Sequence, residues 1–215
     1  MVMVFLLGNC KQNSSDGDEK LESQADFTEI SRILDSVHVE DQKYRSELDS
    51  IGKEYGWDSD EIMNHWQIIS KIDSSNLVIV EDILKRYGWL SAEQIGGTAN
   101  STLFLVIQHS DQDVQEKYLP IMRNAVEEGK ANPRSLALLE DRVRLGRGEL
   151  QIYGSQIGTD QESGKMYVLP LIEPETVNER RLKVGLGPIE DYISHWDWIG
   201  TLKNIKTIYQ GGSKN

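Results

Sequence analysis

The sequence predicts a mainly α fold with a small β component (α+β): a single helical domain that carries an antiparallel β-hairpin in its C-terminal half. Three observations predict it. Apolar residues recur at three- and four-residue intervals, Ile30, Ile33, Leu34 and Val37 first, then Tyr44, Leu48, Ile51 and Tyr55, the spacing of one helix face. Leu103 to Ile107 are apolar without a break, which clothes a helix on every side and marks the most buried element. Glu149 to Ile157 and Lys165 to Ile172 alternate like strands around GTDQESG, whose composition suits a turn.

Taken in order, the chain opens on the apolar run MVMVFLL, followed by Gly8, Asn9 and Cys10. Seven apolar residues are too few to span a bilayer. The pattern resembles the end of a bacterial lipoprotein signal, in which a short apolar core precedes a cysteine that becomes lipidated. Residues 1–10 are therefore expected to be a signal ending at Cys10, with 11–25 a polar flexible tether and 26–210 the folded domain. The expected location is the cell envelope, with the membrane engaged through a lipid anchor only. A cytoplasmic protein with an apolar tail is the alternative.

Within the domain, two similar passages, Lys53 to Ile62 and Lys85 to Ile95, each place Gly after Lys and Tyr, then Trp, then a capping residue. They read as helix-turn-helix corners, with capping-box spacing at Asp58 and Glu61 and at Ser91 and Gln94. Helices are expected from about Asp60 to Lys71 and Leu77 to Arg86, with a break near Asp73 to Asn76. Gly96 and Gly97 release the chain into the buried element 98–108. Its helical reading rests on length; a central strand is the competitor, because Thr102, Val106 and Ile107 are β-branched. His109 ends that element, and Ser110 or Asp111 caps the next helix, which carries Pro120. Pro133 opens a helix that Gly146 and Gly148 close, Pro174 starts another to about Val184, and a last amphipathic helix carries Trp196, Trp198 and Ile199.

The totals exclude whole classes. The 215 residues carry 35 acidic against 23 basic side chains, a net charge of -12, which speaks against nucleic acid as a partner, since such binding draws on basic surfaces meeting phosphates. One cysteine permits neither an intrachain disulfide nor a thiolate cluster. His38, His65, His109 and His195 share no ligand spacing, so no metal and no cofactor is expected. No HExxH, GxSxG or glycine-rich phosphate loop occurs.

The candidate site is centred on Leu136 to Ile157. On a helical wheel Arg142 projects between Leu138 and Leu139, inside an apolar arc, and a buried guanidinium requires a carboxylate or an anionic ligand. Gln151, Tyr153 and Ser155 then alternate as one polar strand face beside it. Read as an enzyme, the chain uses His109 as general acid or base, oriented by Asp141 or Asp111. Arg142, Gln151, Tyr153, Gln156, Arg180 and Arg181 hold a small anionic or sugar-like substrate in a hydrolase or transferase. Read as a non-enzymatic binding or scaffold lipoprotein, the same groups are a satisfied polar core: Asp111 is an N-cap, Arg142 pairs with Asp111, Glu179 or Asp82, and Gln151, Tyr153 and Gln156 bond across the hairpin. Arg180 and Arg181 are adjacent, so at most one is expected to face inward.

Four blocks in this order, QHSD at Gln108, LALLEDRV at Leu136, QIYGSQ at Gln151 and VNERRLKVGLGPIEDY at Val177, resemble a bacterial family, domain of unknown function 6624, over roughly residues 40 to 195. The resemblance implies exported bacterial relatives and carries no activity.

Overall fold

A computed structural model describes residues 15–159 and 166–192. The fold is mostly helical with a two-stranded antiparallel sheet in its C-terminal half, as the periodicity predicts. The expected signal with Cys10, the hairpin turn and the helix of Trp196 and Trp198 lie outside the described residues. Helix α1 spans Ser15–Arg45, so its backbone is already helical in the stretch expected as tether.

The helices are α2 (Leu48–Tyr55), α3 (Asp60–Tyr87), α4 (Ala92–Ile95), α5 (Gly97–Gln108), α6 (Gln112–Glu127) and α7 (Pro133–Gly146). Helix α5 is the centre, packed against α1, α3, α4, α6 and α7. Leu103 and Ile107 are fully buried within it, and the unbroken apolar run is what lets one helix face so many neighbours. Each such side chain contributes about 1.5–3 kcal/mol by leaving water. Asn100, the polar exception inside α5, is satisfied: its Nδ2 donates to Leu90 O at 2.7 Å and Lys130 O at 2.8 Å, tying two loops to the core helix.

Helix α3 does not break at Asp73 to Asn76. Ser74 and Ser75 return their hydroxyls to the carbonyls of Ser70 and Lys71, and Asp73 finds an arginine on α1, so these residues do not compete with the helix backbone. Both corners form, with Gly56 and Gly88 at positive φ. Ser91 and Gln94 make the expected capping box; at the first corner Ser59, not Asp58, accepts from Ile62 N. Helix α6 runs through Pro120.

The C-terminal part departs from expectation in extent. The strands are short, β1 at Ile157–Thr159 and β2 at Met166–Val168, with Ile157 opposite Val168. Residues 149–156 wrap around the end of α7 instead of extending a ladder, because a buried carboxylate on α7 takes the amide hydrogens a neighbouring strand would have used. A 3-10 turn (Pro174–Thr176), α8 (Val177–Lys183) and α9 (Ile189–Tyr192) follow. Val168, Leu171, Val177 and Ile189 form their own small apolar cluster. Gly154, at φ +66, lies so close to Ile189 that a Cβ would fall 2.7 Å from its Cδ1.

Candidate functional site

Chemistry-bearing side chains converge at the corner between α5 and α6. The corner is held from both sides: Gln115 Nε2 donates to Gln108 O and Ser110 O, and Ser110 Oγ donates to Val106 O. This fixes His109, whose Nδ1 lies 3.0 Å from Oδ1 of Asp41 on α1. Asp41 is 1% exposed. It occupies the next position of the buried stripe Ile30, Leu34, Val37 on α1, so the helix presents a carboxylate where its spacing calls for an apolar residue.

Two further side chains, Gln42 and Arg45, stabilise that carboxylate. Gln42 Nε2 donates to Asp41 Oδ2 at 2.7 Å, Arg45 lies 3.6 Å from Oδ1, and Arg45 also donates to the Asp41 carbonyl. Burial by itself pushes the Asp41 carboxyl up; the hydrogen bond and charge of His109, with Arg45 and Gln42, outweigh it and hold the group below its usual range. A carboxylate only accepts, so Nδ1 of His109 carries the proton and donates. Nε2 is then the nitrogen left for chemistry. Arg45 also donates to Asp73 Oδ2 on α3 at 2.7 Å, closing a line from His109 through Asp41 and Arg45 to Asp73.

A cleft of about 170 Å³ opens over these groups. Trp66, Ile69, Ser70, Asp73, Ser74 and Leu77 line one wall, a single face of α3, and His109, Ser110 and Asp111 line the other. This is below the roughly 300–1,000 Å³ of a site for a drug-sized molecule, so the cleft takes one small unit of a ligand. One ligand atom from each of Asp41, Asp73 and His109 lies within 4.8 Å of the others, and imidazole with two carboxylates is a donor set a divalent metal accepts. The Arg45 guanidinium already bridges the two carboxylates, so a metal entering there displaces it.

The other candidates gather elsewhere. Asp141, fully buried on α7, accepts from Ile152 N at 2.6 Å, Tyr153 N at 3.0 Å and Ser155 N at 2.9 Å. Burial holds its carboxyl above the usual range against the opposing pull of those amides. It organises a loop and does not orient His109, which corrects the expected role; Asp111 does not orient it either, since it is the exposed N-cap of α6. The charge that α7 buries is that of Asp141, while Arg142 is half-buried. The reason is two-sided burial: Leu139 and Val143 face the helical core, and Asp141 faces the C-terminal loop on the other side of the same helix.

Gln151 is fully buried, its amide donating to Gln156 O and Leu169 O and accepting from Gln156 N. Gln156 turns its own amide to Ser155 Oγ. Tyr153 is half-buried; burial, then the charge and hydrogen bond of Glu140, push its hydroxyl up to about 12. Arg180 donates to the carbonyls of Ile152, Ile172 and Glu173 and to Thr176 Oγ1. Arg181, 3% exposed, donates to Gly187 O and Tyr153 O. Both adjacent arginines thus staple α8 to the loop, where only one was expected to turn inward. The fold brings Asp141, Gln151, Tyr153, Gln156, Arg180 and Arg181 together as a polar knot, with His109 and Asp111 in the cleft apart from them.

Sequence reasoning missed Asp41, Arg45 and Asp73. The signal for Asp41 was present, a carboxylate in register with an apolar stripe. For Asp73 there was none.

Fold and site together define a mostly helical domain with a histidine–carboxylate cleft at a helix corner. The chain belongs to a family of unknown function, DUF6624, whose family model matches residues 30–204. No curated protein and no solved structure matches it.

Proposed function

We propose that the protein is a hydrolase or transferase in which His109 is the general acid–base and Asp41 orients it. One observation carries this reading: a nearly inaccessible carboxylate holds Nδ1 of an imidazole that itself lines an open cleft. In that arrangement Nε2 takes a proton from water or an acceptor hydroxyl as it attacks, and returns it to the leaving group. Asp41 stabilises the imidazolium in between and keeps the tautomer. The knot around Asp141 serves the scaffold.

The experiment is a screen of purified protein against ester, amide, phosphoester and glycoside substrates, with His109→Ala and Asp41→Asn in parallel. Turnover that falls on both substitutions supports the reading; turnover insensitive to His109→Ala rejects it. A non-enzymatic binding or scaffold protein is the second reading, favoured by the hydrogen-bond saturation of Gln151, Arg180 and Asp141, and it predicts no turnover in any class.

For location, the pattern ending at Cys10 supports an envelope lipoprotein. No helix among the described residues is long and apolar enough to cross a membrane. Cys10→Ser should move the protein from the membrane to the soluble fraction, and unchanged partitioning rejects the anchor.

A further inference from the structure

We propose, resting on the acid–base role of His109 above, that Arg45 is a positioning residue for that histidine. It acts through Asp41, and Asp73 is the anchor that holds it in place.

Two carboxylates arrive at one spot from different helices. One oxygen of Asp41 on α1, one oxygen of Asp73 on α3 and a ring nitrogen of His109 all lie within 4.8 Å of one another. Asp41 is 1% exposed, so water screens this pair weakly, and like charges that close favour protonation of one of them. A protonated Asp41 is no longer an acceptor alone, and it lacks the charge that steadies an imidazolium across the bond to Nδ1. A cation between the carboxylates removes the conflict. The Arg45 guanidinium is that cation. Its Nη2 donates to Asp73 Oδ2 at 2.7 Å, and its Nη1 donates to the Asp41 carbonyl at 3.1 Å while lying 3.6 Å from Asp41 Oδ1.

Spacing and chemistry fit the role. Arg45 follows Asp41 by four positions on α1, so both side chains leave the same face of the helix. A guanidinium does not deprotonate, and its planar fork addresses a backbone carbonyl and a carboxylate on two helices at once. Gln42, which also bonds the Asp41 carboxylate, is neutral. The charged side chains that meet this corner from other elements are Asp73 on α3, His109 at the end of α5 and Asp111, the exposed cap of α6. With the imidazole neutral, the positive charge that offsets Asp41 therefore comes from Arg45. Asp73 lines the cleft and Arg45 does not. A change at Arg45 should then reach His109 through Asp41 and leave ligand contacts alone.

The test is a carboxyl-carbon NMR titration of Asp41 in the full chain, assigned with Asp41→Asn. Arg45→Gln keeps a hydrogen-bond donor and loses the charge, so Asp41 should bind its proton about tenfold more tightly or more. Arg45→Lys keeps the charge and should stay near wild type. In an Asp73→Asn background, which lacks the repulsion that could unfold Arg45→Gln, the same exchange should give a smaller rise, because the anchor is gone. No rise in either background overturns the proposal, and so does an equal rise in Arg45→Lys, which would make the charge irrelevant. On a substrate found in the screen, Arg45→Gln should lower kcat about tenfold or more with KM unchanged. A raised KM at constant kcat would place Arg45 on the ligand and also overturns it. The titration needs no substrate, so the two readings fail separately: the acid–base one as turnover insensitive to His109→Ala, this one as an Asp41 titration insensitive to Arg45.

Discussion

His109 Nδ1 and Asp41 Oδ1 lie 3.0 Å apart although 68 residues separate them in the chain. The contact joins the C-terminal end of the central helix to a buried carboxylate of α1, and puts an oriented imidazole on the wall of a cleft. Its strength depends on pH in a direction that the environment of Asp41 dictates.

The Asp41 carboxyl is held below its usual range in the folded protein. Its stabilisation is therefore present above the unfolded value of about 3.9 and lost as pH falls through the lower folded value. Asp41→Asn should cost about 2 kcal/mol at neutral pH, the scale of a hydrogen bond to a charged group. Urea denaturation at pH 7 and at acid pH should show the gap to wild type narrowing below about pH 4. A gap independent of pH would mean that the carboxylate charge does not hold His109.

His109→Ala should lower turnover by about 10²–10⁴-fold, the usual contribution of a positioned acid–base. Asp41→Asn should lower turnover as well, because Nδ1 of His109 loses the carboxylate oxygen that fixes its tautomer. Initial rates across pH on a substrate found in the screen would check both.

Asp141→Asn replaces an acceptor pair with one acceptor and one donor facing the amides of Ile152, Tyr153 and Ser155. Each unsatisfied buried amide costs about 1–3 kcal/mol, so a loss of about 3 kcal/mol is expected. Hydrogen exchange at Ile152 and Ser155 should accelerate more than at α5, and a stability change under about 0.5 kcal/mol, the size of an ordinary surface substitution, would show that the loop holds without the carboxylate.

Gly154→Ala meets two obstacles at once, a left-handed backbone and a Cβ 2.7 Å from Ile189 Cδ1. A left-handed conformation costs about 1–2 kcal/mol and overpacking about 1–3 kcal/mol. A thermal melt should show a lowered midpoint, and Ile189→Val on the same background should recover part of it by clearing the methyl.

By itself the sequence determined what local spacing determines: the helices around α5 with its apolar run Leu103 to Ile107, the glycine corners at Gly56 and Gly88, and the place of the hairpin. These follow from three- and four-residue repeats, turn residues and caps, which act over a few positions, while the family was legible in the four sequence blocks that resemble it. Only the tertiary structure decided which carboxylate meets His109, because Asp41 and Asp73 arrive from α1 and α3 and no spacing links them to α5. The same is true of α7. A helical wheel identifies one arc, but α7 is buried on two sides, so the charge inside is Asp141 and not Arg142. Tyr153 and Ser155, which alternate like a strand, instead turn their amides with that of Ile152 to the Asp141 carboxylate, and Gln151 alone keeps a bridge to Leu171. Burial of polar groups is resolved by whichever partner the packing brings within hydrogen-bond reach, and that partner is not written in the neighbouring residues.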